Sequence, residues 1–170
     1  MSAVRIVRLA DIAPAPWANG AGETRELWSE PSPEGAGFDR RISVATLVVP
    51  APFSPLAGIA RTLLPIDDVA GVLVIDGAAM PLRRHVPIDF AGDAAVALVE
   101  LARPGRVLNV MSRTRRWRHK VATGSMAAAT GTAVLLAPAA QGAPGDLLMG
   151  ELPELPFAAG ITFARIAAEN

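Results

Sequence analysis

The chain has 170 residues, 51% hydrophobic and 19% charged, with 16 basic and 16 acidic side chains and no net charge. That balance belongs to a globular chain with its own core and supplies no field for nucleic acid or an anionic membrane. It contains no cysteine and no tyrosine, which excludes disulfides, thiolate chemistry, cysteine-held zinc and a tyrosine acid.

In chain order, Met1 to Pro14 carries Arg5, Arg8 and Asp11 and has no apolar leader pattern, so a cytoplasmic protein is the expectation. Strand-like runs follow at Val4–Leu9, Glu23–Trp28, Arg41–Val49, Val72–Ile75, Ala94–Leu101, Val107–Arg113, Thr132–Leu136 and Thr162–Ile166. Ala57–Leu64 fits a short helix or an irregular loop. Asp76-Gly77 predicts a hairpin turn and Arg103-Pro104-Gly105 a second one. Ala137–Gly145 reads as a surface loop ahead of one or two closing strands. Many short strands between turn signals predict an all-β sandwich or barrel, and no linker divides the 170 residues.

Four segments could carry chemistry. Trp17 to Glu26 holds Asn19-Gly20 and Gly22, whose backbone can turn tightly and present N–H groups to an anion, yet no phosphate-loop pattern follows. Alternation over Phe38–Ala45 sets Arg41 and Ser43 opposite Ile42 and Val44. Pro52 and Pro55 stiffen a loop anchored by Phe53 that leads to Arg61, a guanidinium suited to bidentate capture of a carboxylate. The bland alternative for Arg61 is exposure, or a salt bridge to Glu23, Glu26 or Glu100. Asn109, Met111 and Arg113 share one face of a strand.

The basic run Arg113–Lys120, which holds the single lysine, reads as a solvated hairpin rather than a nucleic-acid site. His85 reads as a strand-end surface residue. His85 and His119 are too isolated to make a metal site with the scattered carboxylates.

Together, Trp17-x-Asn19-Gly20-x-Gly22-x-Thr24-Arg25-Glu26, Arg41-Ile42-Ser43-x-Ala45, Pro52-Phe53-Ser54-x-x-x-Gly58-Ile59-x-Arg61, Phe90-x-Gly92-Asp93 and Asn109-Val110-Met111-x-Arg113 resemble the HutD/Ves family. The resemblance runs from Val4 to about Arg115. It implies a cupin-like (RmlC-like) double-stranded β-helix or jelly roll, with two cupin-like halves in one compact unit. It also implies no metal, no cofactor and an association with bacterial histidine utilisation. The chain departs from the family pattern at Ala21, at Arg40, at Ala51, at Leu56-Ala57, and at Val107-Leu108, where the family carries an acidic residue.

The expected function is a metal-free binding protein for a small acidic metabolite, with a regulatory or sensing role. Urocanate or N-formylglutamate fits the implied pathway. Arg61 would pair with the ligand carboxylate in a barrel mouth. Asn109, Ser43, Arg41, Thr24 and the backbone of Asn19, Gly20 and Gly22 would support it, and Trp17, Phe53 and Met111 would supply apolar contact. The alternatives are a metal-independent enzyme using Glu26, Asp93 or a histidine, and a protein-interaction module. A homodimer is compatible with the sequence; nucleic acid and membrane are not expected partners.

Overall fold

The computed structural model describes residues 3–35 and 37–166. In chain order it builds β1 (Arg5–Val7), a 3-10 turn (Leu9–Asp11), β2 (Ala15–Pro16), β3 (Gly22–Pro31), β4 (Phe38–Leu47), β5 (Ala51–Pro52) and β6 (Ile59–Pro65). There follow β7 (Ala70–Ile75), β8 (Ala78–Pro81), β9 (Ile88–Ala91), β10 (Val96–Arg103) and β11 (Gly105–Arg113). The chain closes with β12 (Trp117–Met126), β13 (Ala129–Leu135), β14 (Leu147–Leu152) and β15 (Leu155–Arg165).

These strands form three antiparallel sheets in the orders β2-β3-β4-β11-β6-β9, β5-β10-β7-β8 and β1-β14-β13-β15-β12. The all-β, cupin-like expectation is met, and the six-stranded sheet packs between the other two. The sheets do not join into one closed barrel.

One face of the central sheet, with Ile42, Val44, Leu64, Leu108 and Val110, packs against Val134, Leu136, Leu147, Ala159 and Ile161. The other face, with Ala45, Leu47, Leu63 and Val107, packs against Leu73, Val96 and Leu98 of the four-stranded sheet. Because β11 is covered on both sides, its residues from Val107 to Ser112 are all buried. Four of those six residues are apolar, as a strand covered on both faces favours, and the exceptions are Asn109 and Ser112. The outer face of the five-stranded sheet buries Leu135, Leu148 and Leu155 in a smaller cluster.

Some elements differ from the sequence expectation. Ala57–Leu64 contains most of strand β6, with neither helix nor loop over Ile59–Leu64. Buried residues on both faces erase the alternation that would have identified it. Asp76-Gly77 does close the β7–β8 hairpin, both residues having positive φ (47° and 84°) as a type I′ turn demands. Arg103-Pro104-Gly105 is no hairpin: β10 lies in the four-stranded sheet and β11 in the central one, so the segment is a corner between sheets.

The basic run is likewise no solvated hairpin, because β11 and β12 belong to different sheets. Arg113 and Arg116 both bind Asp39, and His119 turns inward. His85 is half-buried, with Nε2 3.1 Å from the Ile66 carbonyl and its ring 4.9 Å from Phe157, so it is not a surface residue. Ala137–Gly145 is a loop before two strands, tied by an Ala139–Gly142 bridge.

Candidate functional site

Strand register explains how the candidate side chains meet. Met111 sits between Arg41 and Arg61, and Asn109 sits between Ser43 and Leu63. Directly opposed residues share a face, so Arg41, Met111, Arg61, Ser43 and Asn109 all project from the same side of the central sheet. Thr24 joins them through its pairing with Ala45.

Two loops wall the space in front of that face. In the first, the Trp17 N–H donates to the Gly22 carbonyl at 2.9 Å and the Trp17 indole donates to Thr24 Oγ1 at 2.8 Å. Asn19 Oδ1 accepts from the Ala21 N–H at 3.0 Å, closing an Asx turn. In the second, Phe53 N–H donates to the Val96 carbonyl at 2.8 Å and Leu56 N–H to the Gly92 carbonyl at 2.6 Å. Gly92 is required there, because a Cβ would stand 2.2 Å from the Leu56 carbonyl oxygen. The Trp17 and Phe53 rings then meet edge-on at 6.3 Å.

The result is a cavity of about 380 Å³ whose walls include Trp17, Asn19, Thr24, Arg41, Ser43, Phe53, Arg61, Asn109 and Met111. Gly20 and Gly22 do not line it. Gly20 supplies the positive φ (69°) of the turn, and Gly22 lets the Thr46 carbonyl and the Trp17 ring approach its Cα. The cavity lies on a sheet face beneath two loops, not in the mouth of a closed barrel.

The electrostatics of this cavity are unusual. Arg61 retains 8% of its exposure, and neither Glu23, Glu26 nor Glu100 pairs with it. Glu23 holds Arg25, and Glu26 lies against Arg41. The Arg61 guanidinium donates one long bond (3.3 Å) to the Ser54 carbonyl and sits 5.0 and 5.6 Å from the Phe90 and Phe53 rings. Burial, with the positive charge of Arg41 adding to it, lowers its pKa to about 10.

Among the described residues, the buried side-chain atoms lacking a hydrogen-bond partner are Arg41 Nε, Arg61 Nε and Asn109 Oδ1. All three belong to residues lining this cavity. Arg41 Nε does lie 2.9 Å from Glu26 Oε2, but without the alignment of a hydrogen bond, so the pair is one of charge proximity. Two unused donors and one unused acceptor therefore surround one space. Buried polar atoms left this way cost stability unless something else satisfies them.

None of the lining residues is a carboxylate or a histidine. Asp93 is exposed and Glu26 is taken up by Arg41 and Ser29. Among the described residues, no group of three or more His, Asp or Glu is arranged to hold a metal ion.

One polar cluster escaped sequence reasoning, on the opposite face of the sheet. Thr62 Oγ1 donates to Asp89 Oδ1 in a short bond. It must therefore accept from His119 Nε2–H, at 2.9 Å, leaving Nδ1 to accept from the Ser112 hydroxyl at 2.7 Å. Ser112 is fully buried and cannot reach a substrate. Residues separated by 27 and 57 positions give no local signal of this pairing.

A cupin-like fold with an unmatched buried arginine in its cavity defines the class. The chain belongs to the HutD family, which it matches over residues 9–143. It is 35% identical to protein Ves of Citrobacter koseri over 109 residues, 62% of this chain and 56% of that protein. It is 29% identical to an uncharacterized 21.2 kDa protein in the hutC 3′ region of Pseudomonas putida, covering 71% of this chain and 64% of that one. These matches thus span less than two thirds of either relative.

In three dimensions the chain superposes on HutD from Pseudomonas fluorescens SBW25 with a TM-score of 0.83 at 23% identity, covering 97% of this chain and 100% of that one. It superposes on a conserved protein of unknown function from Pseudomonas aeruginosa PAO1 with a TM-score of 0.75 at 26% identity, again over 97% and 100%. Among the described residues, no helix is long and apolar enough to cross a membrane.

Proposed function

We propose that the chain is a binding protein for a small carboxylate metabolite, serving a regulatory or sensing role in histidine utilisation. The observation that carries this reading is the Arg61 guanidinium, buried without a carboxylate partner in a cavity where Arg41 Nε and Asn109 Oδ1 are also unmatched. A ligand carboxylate satisfies the arginines, and a donor elsewhere on the ligand satisfies Asn109. Trp17, Phe53 and Met111 supply apolar contact. A charge-assisted pair contributes about 1.5–3 kcal/mol, so micromolar affinity requires that apolar surface as well.

The neighbourhood named for the Pseudomonas putida relative directs the choice of ligand to intermediates of histidine breakdown, urocanate and N-formylglutamate among them. The absence of carboxylate and imidazole groups from the cavity wall favours binding over acid–base catalysis.

A thermal-shift screen against these acids and simple carboxylates tests the proposal. A ligand present at a hundred times its Kd adds about 2.7 kcal/mol of stability. A shift from one acid, lost in Arg61→Met, is the expected result. No shift from any carboxylate overturns it and brings forward the interaction-module reading.

A further inference from the structure

Arg61 differs from the arginines around it, which bring their own counter-charges. Arg41 Nε lies 2.9 Å from Glu26 Oε2, and Arg113 reaches Asp39 Oδ1 at 3.0 Å. Arg116 reaches the other oxygen of Asp39, also at 3.0 Å, and pairs with Glu34 as well. The Arg61 guanidinium has only the Ser54 carbonyl. Strand register places Glu26 opposite Ser43, which in turn sits opposite Asn109, so Glu26 belongs to the cavity face of the sheet. Both its oxygens are engaged: Oε1 accepts from the Ser29 hydroxyl at 2.6 Å, and Oε2 faces Arg41. Its side chain is 46% exposed, which puts it at the rim rather than in the cavity wall. The cavity therefore holds two arginines but only one uncompensated positive charge.

We infer that Glu26 is a specificity-determining residue that restricts the cavity to ligands with one negative charge. Such a ligand is a monocarboxylate with a neutral hydrogen-bond donor elsewhere on the molecule, and dicarboxylates are turned away. This rests on the carboxylate-binding reading above and narrows it. The ligand carboxylate takes Arg61. A second carboxylate would find the remaining cation, Arg41, already neutralised, and would bring like charge up to Glu26. Elsewhere the wall offers it Trp17, Leu47, Phe53, Leu56 and Val107, which solvate no charge. The unmatched Asn109 Oδ1 is an acceptor, so it also repels a carboxylate, whereas it accepts an amide N–H, a ring N–H or a hydroxyl.

The test is isothermal titration with glutarate and glutaramate, which differ only in the exchange of one carboxylate for a carboxamide of the same shape. The parent protein should bind glutaramate at least about tenfold more tightly than glutarate. Glu26→Gln keeps an acceptor for the Ser29 hydroxyl but removes the charge, which frees Arg41 for a second carboxylate. Glutarate should then gain about tenfold relative to glutaramate. Glutarate binding to the parent as tightly as glutaramate overturns the inference and leaves carboxylate binding in place. A preference that survives Glu26→Gln also overturns it, because the preference then has another source. If neither acid binds and no other carboxylate shifts the melting temperature, the binding reading itself falls and this inference falls with it.

Discussion

Replacing Arg61 with Met should leave the unliganded protein at least as stable as its parent. The guanidinium remains charged at neutral pH, and burial, with Arg41 nearby, lowers its pKa to about 10, in keeping with a cavity that solvates that charge poorly. At about 1.4 kcal/mol per unit, the unfavourable term is about 3 kcal/mol. The Phe53 and Phe90 rings and the Ser54 carbonyl return part of it, roughly 1–2 kcal/mol. Methionine fills much of the same volume with no charge to desolvate, so the net change lies between zero and about 2 kcal/mol of stabilisation. For a chain of this length that is a rise of up to about 8 °C in Tm, measurable by calorimetry without ligand. A structural ion pair behaves in the opposite way, losing about 3–5 kcal/mol when one partner is removed. A Tm several degrees below the parent would therefore refute the reasoning and make Arg61 a structural residue.

Three further outcomes follow from the geometry. Asn109→Asp puts a carboxylate into the cavity with Arg61. It should raise the unliganded Tm and weaken carboxylate binding about tenfold or more by isothermal titration. Gly22→Ala drives a Cβ to 2.3 Å from the Thr46 carbonyl and 3.2 Å from the Trp17 ring. It should cost about 1–3 kcal/mol in denaturant unfolding and quench the Trp17 environment. Burial, opposed in part by the charge of Asp89, holds His119 below its ordinary 6.5. Burial together with Arg84 does the same to His85. A base with a depressed folded pKa binds fewer protons folded than unfolded, so stability rises with pH between the two values and is lost as pH falls through 6.5 and below. His119→Gln should flatten that slope in Tm measured across the histidine range, and an unchanged slope would exclude His119 as its source.

Much of this was legible in the sequence because the cavity depends on simple alternation. Arg41 and Ser43, or Asn109 and Met111, two residues apart on a strand, must share a face, and glycine and proline punctuation marked the loops that wall them in. β6 was not legible. Arg61 faces the cavity while Thr62 and Leu64 are buried on the other side, so both faces are covered and the period vanishes. The corner at Pro104 was missed because a turn signal does not say whether the chain returns to its own sheet. The Ser112–His119–Thr62–Asp89 chain depends on four strands meeting (β11, β12, β6 and β9), which no local pattern records.

The order of strands in the five-stranded sheet has a consequence for synthesis. β1 pairs with β14, and β15 lies between β12 and β13. A nascent chain can assemble the cavity strands early, since the latest of them, β11, ends at Arg113. The reverse side of that assembly, with Leu64, Leu108 and Val110, stays uncovered until β14 and β15 have left the ribosome. Until then the emerging protein presents a greasy plate to the cell, and premature termination anywhere between these strands yields a product marked for chaperones and proteases rather than a smaller working domain.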